Sequence, residues 1–268
     1  MSDSNPATAR YGPLARLRQA RAAAALLAVL TIALPWACLP RGAMRTALAR
    51  LAWAVLLRGF GIRINRLGHA PCRGALVVSN HVSWIDIAVL ARLLDCGFVA
   101  KAEVAGWPVI GSLARRQGCL FIERERRGAV RPVLGRMRGY GPRRSLVLFP
   151  EGTSGEGDRV LPFRTSLFAA AGERFTAVQP VTLHYRRRDG SALAPGQRRE
   201  VAWVGDDALL PHAMALAARG GAIVDLWFEA PLPPAARKDL AEASHRLISA
   251  RLAELAGEAQ AAALKRAA

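Results

Sequence analysis

Short apolar runs that end in polar or turn-forming residues recur along this chain. Three of them, at residues 74–79, 118–123 and 145–149, pass directly into segments that carry charges, proline or glycine. Runs of this length, bounded by turn residues, are typical of buried strands. Their alternation with helical runs predicts a parallel sheet with crossover helices, in which the strand ends share one edge. Open α/β folds place their sites at that edge.

Weaker runs complete the same pattern. Other strand-like runs lie at residues 97–100, 177–185, 201–204 and 222–229, and helical runs lie at 85–94, 129–140 and 166–172. Prolines end the last strand, and residues 235–268 have the pattern of an alanine-rich helix with an apolar face. The sequence therefore predicts an α/β fold with a mixed, mainly parallel sheet flanked by helices. We expect this domain at residues 65–232 and a C-terminal amphipathic helix, packed on the domain, at 233–268.

The N-terminal region is apolar. Residues 22–40 carry no charge, and a straight helix of that length would reach about 28 Å, against a hydrocarbon core of about 30 Å. Pro35 predicts a kink or an end of this helix, which would leave residues 22–34, too few to span a bilayer. The next apolar stretch, 43–60, is interrupted by arginines, a pattern typical of helices that lie in the membrane interface.

Arginines flank residues 22–40 on both sides. The positive-inside rule then favours the cytoplasmic side for both ends of this stretch. We therefore expect residues 1–64 to form a two-helix anchor that enters one face of the membrane, with a single span as the alternative. The expected location is the cytoplasmic face of the inner membrane.

His81 and Asp86 follow the first strand-like run, five residues apart. On a regular helix they would lie about 140° apart, so the chain must turn between them if they are to meet. Ser83, with Asp86 three residues later, reads as a helix N-cap, which would place Asp86 in the first turn. An imidazole whose other nitrogen is held by a carboxylate is a general base near neutral pH. The alternative is that Asp86 only caps the helix and His81 is an ordinary residue at the end of a strand.

Two other junctions have unusual composition, since Arg124 lies just beyond one strand and a turn at residues 150–153 follows another. With these junctions the chain resembles the glycerolipid acyltransferases, a family with an HxxxxD motif that acylates lysophosphatidic acid and related lysolipids. The resemblance covers roughly residues 65–185, including the segment 98–111. Its four blocks are Asn80, His81 and Asp86; Gly118, Phe121, Ile122 and Arg124; residues 149–153; and residues 178–181.

The resemblance implies acyl transfer from an acyl thioester to a lysolipid hydroxyl, with no covalent acyl-enzyme. The donor would be a thioester of acyl carrier protein or coenzyme A, and no metal or other cofactor is implied. His81 would be the catalytic base and Asp86 the residue that orients it. The positions that match substrate-binding residues are Arg124, for the acceptor's phosphate, and Glu151, Gly152 and Thr153, in the acceptor-binding turn.

Each substrate-binding candidate has an ordinary alternative. A guanidinium suits a phosphate through paired hydrogen bonds, but Arg124 is also one of many arginines in the chain. Residues 151–153 also fit a plain tight turn. Lys101 is a further candidate, for a phosphate or for the anionic arm of the donor, with a solvated strand lysine as the alternative.

The acceptor is less well defined than the reaction. Enzymes that use lysophosphatidic acid usually carry an arginine after the threonine of the third block, whereas Ser154 and Gly155 follow Thr153 here. The segments 161–166 and 203–206 also resemble bacterial relatives that acylate lyso-ornithine lipid. We interpret the chain as a 1-acyl-sn-glycerol-3-phosphate O-acyltransferase that forms phosphatidic acid, with a lyso-ornithine lipid O-acyltransferase as the alternative. A catalytically silent, basic membrane-associated scaffold is the alternative of another class.

The formal net charge of +18, carried almost wholly by arginine, implies an anionic partner. The two natural partners are an anionic phospholipid membrane and acidic acyl carrier protein. Nucleic acid is a competing partner. We do not expect it, because the basic residues are spread along the chain rather than gathered in one recognition helix.

Overall fold

The structure, a computed structural model, describes residues 12–123, 128–140, 143–205 and 207–267, with side chains described as far as residue 261. Within these residues one sheet contains β1 (Arg63–Gly68), β2 (Leu76–Ser79), β3 (Cys96–Lys101), β4 (Leu120–Ile122), β5 (Ser145–Leu148), β6 (Val178–Arg186) and β7 (Ile223–Phe228). The order across the sheet is β1-β7-β6-β2-β5-β3-β4. Neighbouring strands are parallel except β6 and β7, which confirms the predicted mixed, mainly parallel α/β fold.

Helices cover both faces of this sheet. They are α1 (Pro13–Cys38), α2 (Ala43–Gly59), α3 (Ile85–Leu93), α4 (Ile110–Gln117), α5 (Val130–Arg138), α6 (Ala171–Arg174), α7 (Leu209–Arg219) and α8 (Arg237–Ala267), with 3-10 turns at Ala102–Gly106, Ser166–Ala170 and Pro195–Glu200. Side chains alternate along each strand, so Val77 enters one hydrophobic core with α2, α3 and α7, whereas Leu76 enters a second core with α5 and α8.

The two N-terminal helices are confirmed, but the first is longer than expected. Pro13 occupies its first turn, where a proline is tolerated, and the helix continues through Pro35 to Cys38. The expectation that Pro35 would leave only residues 22–34 helical is therefore wrong. Pro35 cannot donate to the carbonyl of Thr31, so it removes one hydrogen bond, yet the helix continues through its last turn to Cys38. By length and composition α1 could cross a membrane, and most of its residues are exposed.

α1 and α2 are also part of the packed molecule. Phe60, which follows α2, is 1% exposed, and Ala22 of α1 is fully buried in the core that contains α3 and α7. The guanidinium of Arg21 donates to the carbonyl of Gly59 at 3.1 Å, and the guanidinium of Arg18 donates to the carbonyl of Ala218 at 3.2 Å. The helix pair is thus attached to the α/β domain by both apolar and polar contacts.

Other differences from the predicted elements have local causes. The expected strand at 201–204 is a turn, because the amides of Val201 and Ala202 both donate to the carbonyl of Arg198. β1 was not predicted, since it is an edge strand with polar, largely exposed residues and no apolar run. α4 and α7 were also missed; α4 is short, and α7 carries Pro211 in its first turn. The helical run at 166–172 is a 3-10 turn followed by the short helix α6.

Candidate active site

The turn after β2 brings His81 and Asp86 together. The Nδ1 atom of His81 lies 2.7 Å from Oδ2 of Asp86, whose side chain is fully buried. A carboxylate only accepts, so this contact places the imidazole proton on Nδ1 and leaves Nε2 with a free lone pair. The His81 side chain is 16% exposed, so proton transfer at Nε2 is possible at a partly open position. The predicted contact between the two residues is confirmed.

Asp86 also organises the backbone of the turn. Its Oδ2 accepts hydrogen bonds from the amides of Val82 and Ser83, at 2.7 and 2.9 Å. Asp86 therefore contacts His81 and also satisfies amides just before α3, so it does more than cap the helix. Ser83 is not the cap that we expected. Trp84 precedes the helix, and the Ser83 hydroxyl has no hydrogen-bond partner among the described residues.

Tyr185 supports Asp86 from β6 and was missed in the sequence. Its hydroxyl donates to Oδ1 of Asp86, so both carboxylate oxygens are satisfied. Burial, and then the negative charge of Asp86, raise the pKa of Tyr185 well above its ordinary value, which keeps the hydroxyl protonated as a donor. The available signal was a tyrosine in an otherwise apolar strand, because a buried phenol requires a hydrogen-bond partner.

The imidazole is further held by an aromatic ring and by the turn after β5. The ring of Phe149 stacks on that of His81, with centroids 4.2 Å apart and an interplanar angle of 16°. The centroid of the Phe98 ring lies 6.4 Å from that of the Phe149 ring. The carbonyl of His81 accepts from the amide of Gly155 at 2.8 Å. These contacts fix both the plane of the ring and the backbone that carries it.

Glu151 is buried beneath this turn. Its Oε1 accepts from the amide of His81 at 2.9 Å, and its Oε2 accepts from the amide of Leu161 at 3.3 Å. Burial raises the pKa of Glu151 to about 8; the two amide hydrogen bonds lower it in part, and the charge of Asp86 raises it further. Through its hydrogen bond with the amide of His81, Glu151 contacts the backbone of the candidate base.

The remaining predicted residues lie at the same edge of the sheet, or outside the described residues. Gly152 has a φ of 77°, and a Cβ atom there would lie 3.1 Å from Nε of Arg164, so glycine suits this turn. Thr153 is exposed beside it, and Lys101 is exposed at the end of β3. β2, β3 and β5 are parallel, so their carboxyl ends meet as predicted. Arg124 lies outside the described residues.

Two segments that depart from the pattern of lysophosphatidic acid enzymes are in direct contact. The hydroxyl of Ser154 donates to the carbonyl of Trp203. The amide of Trp203 in turn donates to the carbonyl of Val82, 2.9 Å away and next to His81. The indole nitrogen of Trp203 donates to the carbonyl of Asp207 at 2.6 Å. Trp203 thus connects Ser154 and Asp207 to the turn that carries the candidate base.

The chain is similar to known proteins in both sequence and fold. A family model described as acyltransferase matches residues 62–184. A lyso-ornithine lipid O-acyltransferase from Brucella abortus is 39% identical over 198 residues, which is 69% of this chain and 73% of that protein. A 1-acyl-sn-glycerol-3-phosphate acyltransferase from Neisseria gonorrhoeae is 30% identical over 156 residues, or 58% of this chain and 61% of that protein.

The fold comparison agrees with these sequence comparisons. The crystal structure of the 1-acyl-sn-glycerophosphate acyltransferase PlsC from Thermotoga maritima aligns with 89% of this chain and 97% of that chain, with a TM-score of 0.55 and 19% sequence identity. At that identity the likeness concerns the fold alone. The family match and the Brucella relative go further, and they show that this chain belongs to the acyltransferase family.

Proposed function

We propose that this acyltransferase transfers an acyl chain from an acyl thioester to the hydroxyl of lyso-ornithine lipid. The observation that carries the chemistry is the 2.7 Å contact between Nδ1 of His81 and buried Asp86, which leaves Nε2 as the base. The thioester is carried by acyl carrier protein or coenzyme A. Catalysis then requires alignment of the two substrates, removal of one proton and stabilisation of an oxyanion.

The reaction follows from the roles of three side chains. His81 Nε2 takes the proton of the lysolipid hydroxyl while the hydroxyl oxygen attacks the thioester carbonyl. The tetrahedral oxyanion collapses and expels the thiolate, which receives the proton from the imidazolium, so the products are an ester and a thiol. Asp86 stabilises the imidazolium, and Tyr185 keeps the carboxylate in place. Arg124, Lys101 and the turn at residues 151–153 are proposed to hold substrate.

The choice of acceptor is supported by two independent features. The Brucella relative with the lyso-ornithine lipid name is more similar, over more of this chain, than the neisserial relative that acylates lysoglycerophosphate. Ser154 also stands where an arginine is expected for lysophosphatidic acid, and its hydroxyl is bonded to Trp203. Formation of phosphatidic acid, our first interpretation from the sequence, is the second candidate, favoured by the neisserial relative.

We further propose that the enzyme binds the cytoplasmic face of an anionic membrane through α1 and α2. Large apolar side chains of these helices are exposed, including Leu27, Leu30 and Leu34. A pocket of about 60 Å³ between α2 and α4 suits an anionic headgroup, since only one acid, Asp95, lines it. The arginines that line it are Arg41, Arg45, Arg50, Arg116 and Arg144.

The acceptor is tested with membranes that contain the protein, labelled acyl carrier protein or coenzyme A thioester, and either lyso-ornithine lipid or lysophosphatidic acid. Membranes prepared without the protein are the control. We expect label in ornithine lipid. Label only in phosphatidic acid would replace the proposal by the second candidate, and label in neither with both donors would favour the silent scaffold.

A further inference from the structure

A second pocket, of about 130 Å³, lies beside the catalytic turn, between β6, α8 and the loop that follows Thr153. Its apolar lining includes Val82, Leu183 and Val201. Its polar lining includes Glu156, Asp158 and Arg198. None of these polar groups has a role in the proton transfer described above.

The pocket shares walls with the catalytic pair. Tyr185 lines it and donates to Asp86, and Val82 lines it and donates its amide to the same carboxylate. Gly157 has a φ of 79°, and a Cβ atom there would lie 3.3 Å from both methyl groups of Val82. The loop that carries Glu156 and Asp158 is therefore packed against the residue that follows His81. The pocket therefore adjoins the catalytic turn at Val82, one residue after His81.

The pocket lining contains two carboxylates, Glu156 and Asp158, and the guanidinium of Arg198, unlike the strongly basic chain as a whole. Asp158 lies 3.7 Å from Arg198, and Glu156 lies 3.7 Å from Arg199. All four side chains are between 31% and 51% exposed. Ion pairs this long and this exposed are weak, so they can open to admit a ligand with charges of both signs. A phosphate monoester carries negative charge alone, so the carboxylates of Glu156 and Asp158 would repel it.

We infer that this pocket recognises the zwitterionic amino-acid headgroup of the acceptor. The inference rests on the proposed function, because lyso-ornithine lipid carries a free carboxylate and a free ammonium group, several bonds away from its reacting hydroxyl. The ammonium binds Glu156 and Asp158, and the carboxylate binds Arg198. The fatty-acid hydroxyl then lies at Nε2 of His81. Glu156 and Asp158 are thus specificity-determining residues, and they select a cationic amine rather than a phosphate.

The test uses two synthetic acceptors with the same 3-hydroxyacyl chain, one on ornithine and one on norvaline, which lacks the ammonium group. The purified full chain in detergent micelles is assayed for kcat/KM with each acceptor. We expect the wild type to prefer the ornithine acceptor by about tenfold or more, since a charge-assisted hydrogen bond is lost with norvaline. In the double variant E156Q/D158N this preference falls nearly to unity. Glu242→Gln, an exposed position on α8, is the matched control and keeps the preference.

The possible outcomes separate the two proposals. If the wild type acylates the ornithine acceptor and E156Q/D158N retains the full preference for it over norvaline, the pocket inference is overturned and the proposed function stands. If the wild type acylates lysophosphatidic acid but neither amino-acid acceptor, both are overturned. Activity with the norvaline acceptor shows that the variant is folded, and the ratio between acceptors does not change when a residue only supports the fold.

Discussion

Asp86 is held by more than the histidine that it orients. The amides of Val82 and Ser83 and the hydroxyl of Tyr185 all donate to its buried carboxylate. These donors hold both oxygens of the carboxylate in place. In the proposed reaction, the carboxylate held in this way stabilises the imidazolium of His81 during proton transfer. At the scale of single residues, this geometry supports the proposal that His81 is the base and that Asp86 is a carboxylate fixed beside it.

Asp86→Asn tests this arrangement, because it preserves size but removes the charge and one acceptor oxygen. We expect kcat to fall by about a hundredfold or more, the range of general-base catalysis, with a smaller change in the KM of the acceptor. Steady-state kinetics on the membrane-bound enzyme measure both constants. Asp239→Asn, at the exposed start of α8, is the control. A kcat close to that of the wild type would show that Asp86 only shapes the backbone.

Glu151 makes the stability of the protein depend on pH. Its pKa rises from 4.5 to about 8 on folding, so the folded state holds a proton that the unfolded state releases between these values. Glu151 therefore contributes most to stability below pH 4.5, and this contribution is lost as the pH rises towards 8. We expect Glu151→Gln to lose less stability than the wild type between pH 5 and pH 8. Urea unfolding in detergent at the two pH values measures this, and equal losses would contradict the account.

His81 and Asp86 could be predicted as a pair because the sequence that joins them is short and its turn residues are visible. The contact of Tyr185 with Asp86 joins residues 99 positions apart, and it arises only because β6 lies beside β2. The contact between Glu151 and the amide of His81 likewise depends on the pairing of β2 with β5. No local pattern contains either contact. The sequence therefore predicts the candidate reacting groups but not the groups that fix them.

At the scale of elements, α1 and α2 combine tight packing against each other with an exposed apolar face. A Cβ atom at Gly59 would lie 2.2 Å from Cβ of Ala25, so the helices can approach this closely only with glycine at that position. Exposed leucines lie elsewhere on α1. The pair is therefore held together by its inner face and is free to bind apolar material with its outer face.

Gly59→Ala tests the close approach of these helices. We expect the free energy of unfolding to fall by about 1–3 kcal/mol, because the added methyl group forces the helices apart. Gly257→Ala, on α8, is the matched control, since nothing lies within 4 Å of a Cβ atom there. Denaturant unfolding in detergent measures both. A loss of the same size in the two variants would contradict the packing argument.

Replacing Leu27, Leu30 and Leu34 by asparagine tests the outer face. We expect binding to lipid vesicles to weaken by about tenfold for each leucine, since each loses its apolar contact with the acyl chains. Vesicle sedimentation measures the bound fraction. Ala253→Asn, exposed on α8, is the control. Unchanged binding of the triple variant would exclude α1 as part of the anchor.

The elements that could be predicted are those with strong apolar runs, and the errors have physical causes. The runs that became β2, β5, β6 and β7 are buried on both faces or nearly so. Residues 201–204 are apolar for another reason, because Val201 and Ala202 pack into the core from a turn. β1 is an edge strand that pairs with β7. Its arginines interrupt the apolar pattern by which a strand could be predicted from the sequence. An apolar run therefore predicts that a segment is buried, but it does not predict the type of element.

At the scale of the whole molecule, opposite edges of the sheet carry different charges. The arginine-lined pocket includes Asp95 and Arg144, which precede β3 and β5, so it lies at the edge where these strands begin. The candidate active site and the pocket with Glu156 and Asp158 lie at the edge where β2 and β6 end. Although the net charge of the chain is +18, the pocket next to Val82 is lined by Glu156 and Asp158 as well as by Arg198. This separation suits an enzyme that binds an anionic surface and a zwitterionic acceptor.

The most direct test of the account is acyl transfer to lyso-ornithine lipid by His81→Ala, compared with wild type and with His69→Ala, a histidine at the end of β1. Product formation from a labelled acyl thioester is measured at equal amounts of membrane-bound protein. We predict that His81→Ala loses activity by about a thousandfold or more, whereas His69→Ala keeps it. Activity of His81→Ala close to that of the wild type, with the same membrane binding, would show that His81 is not the base.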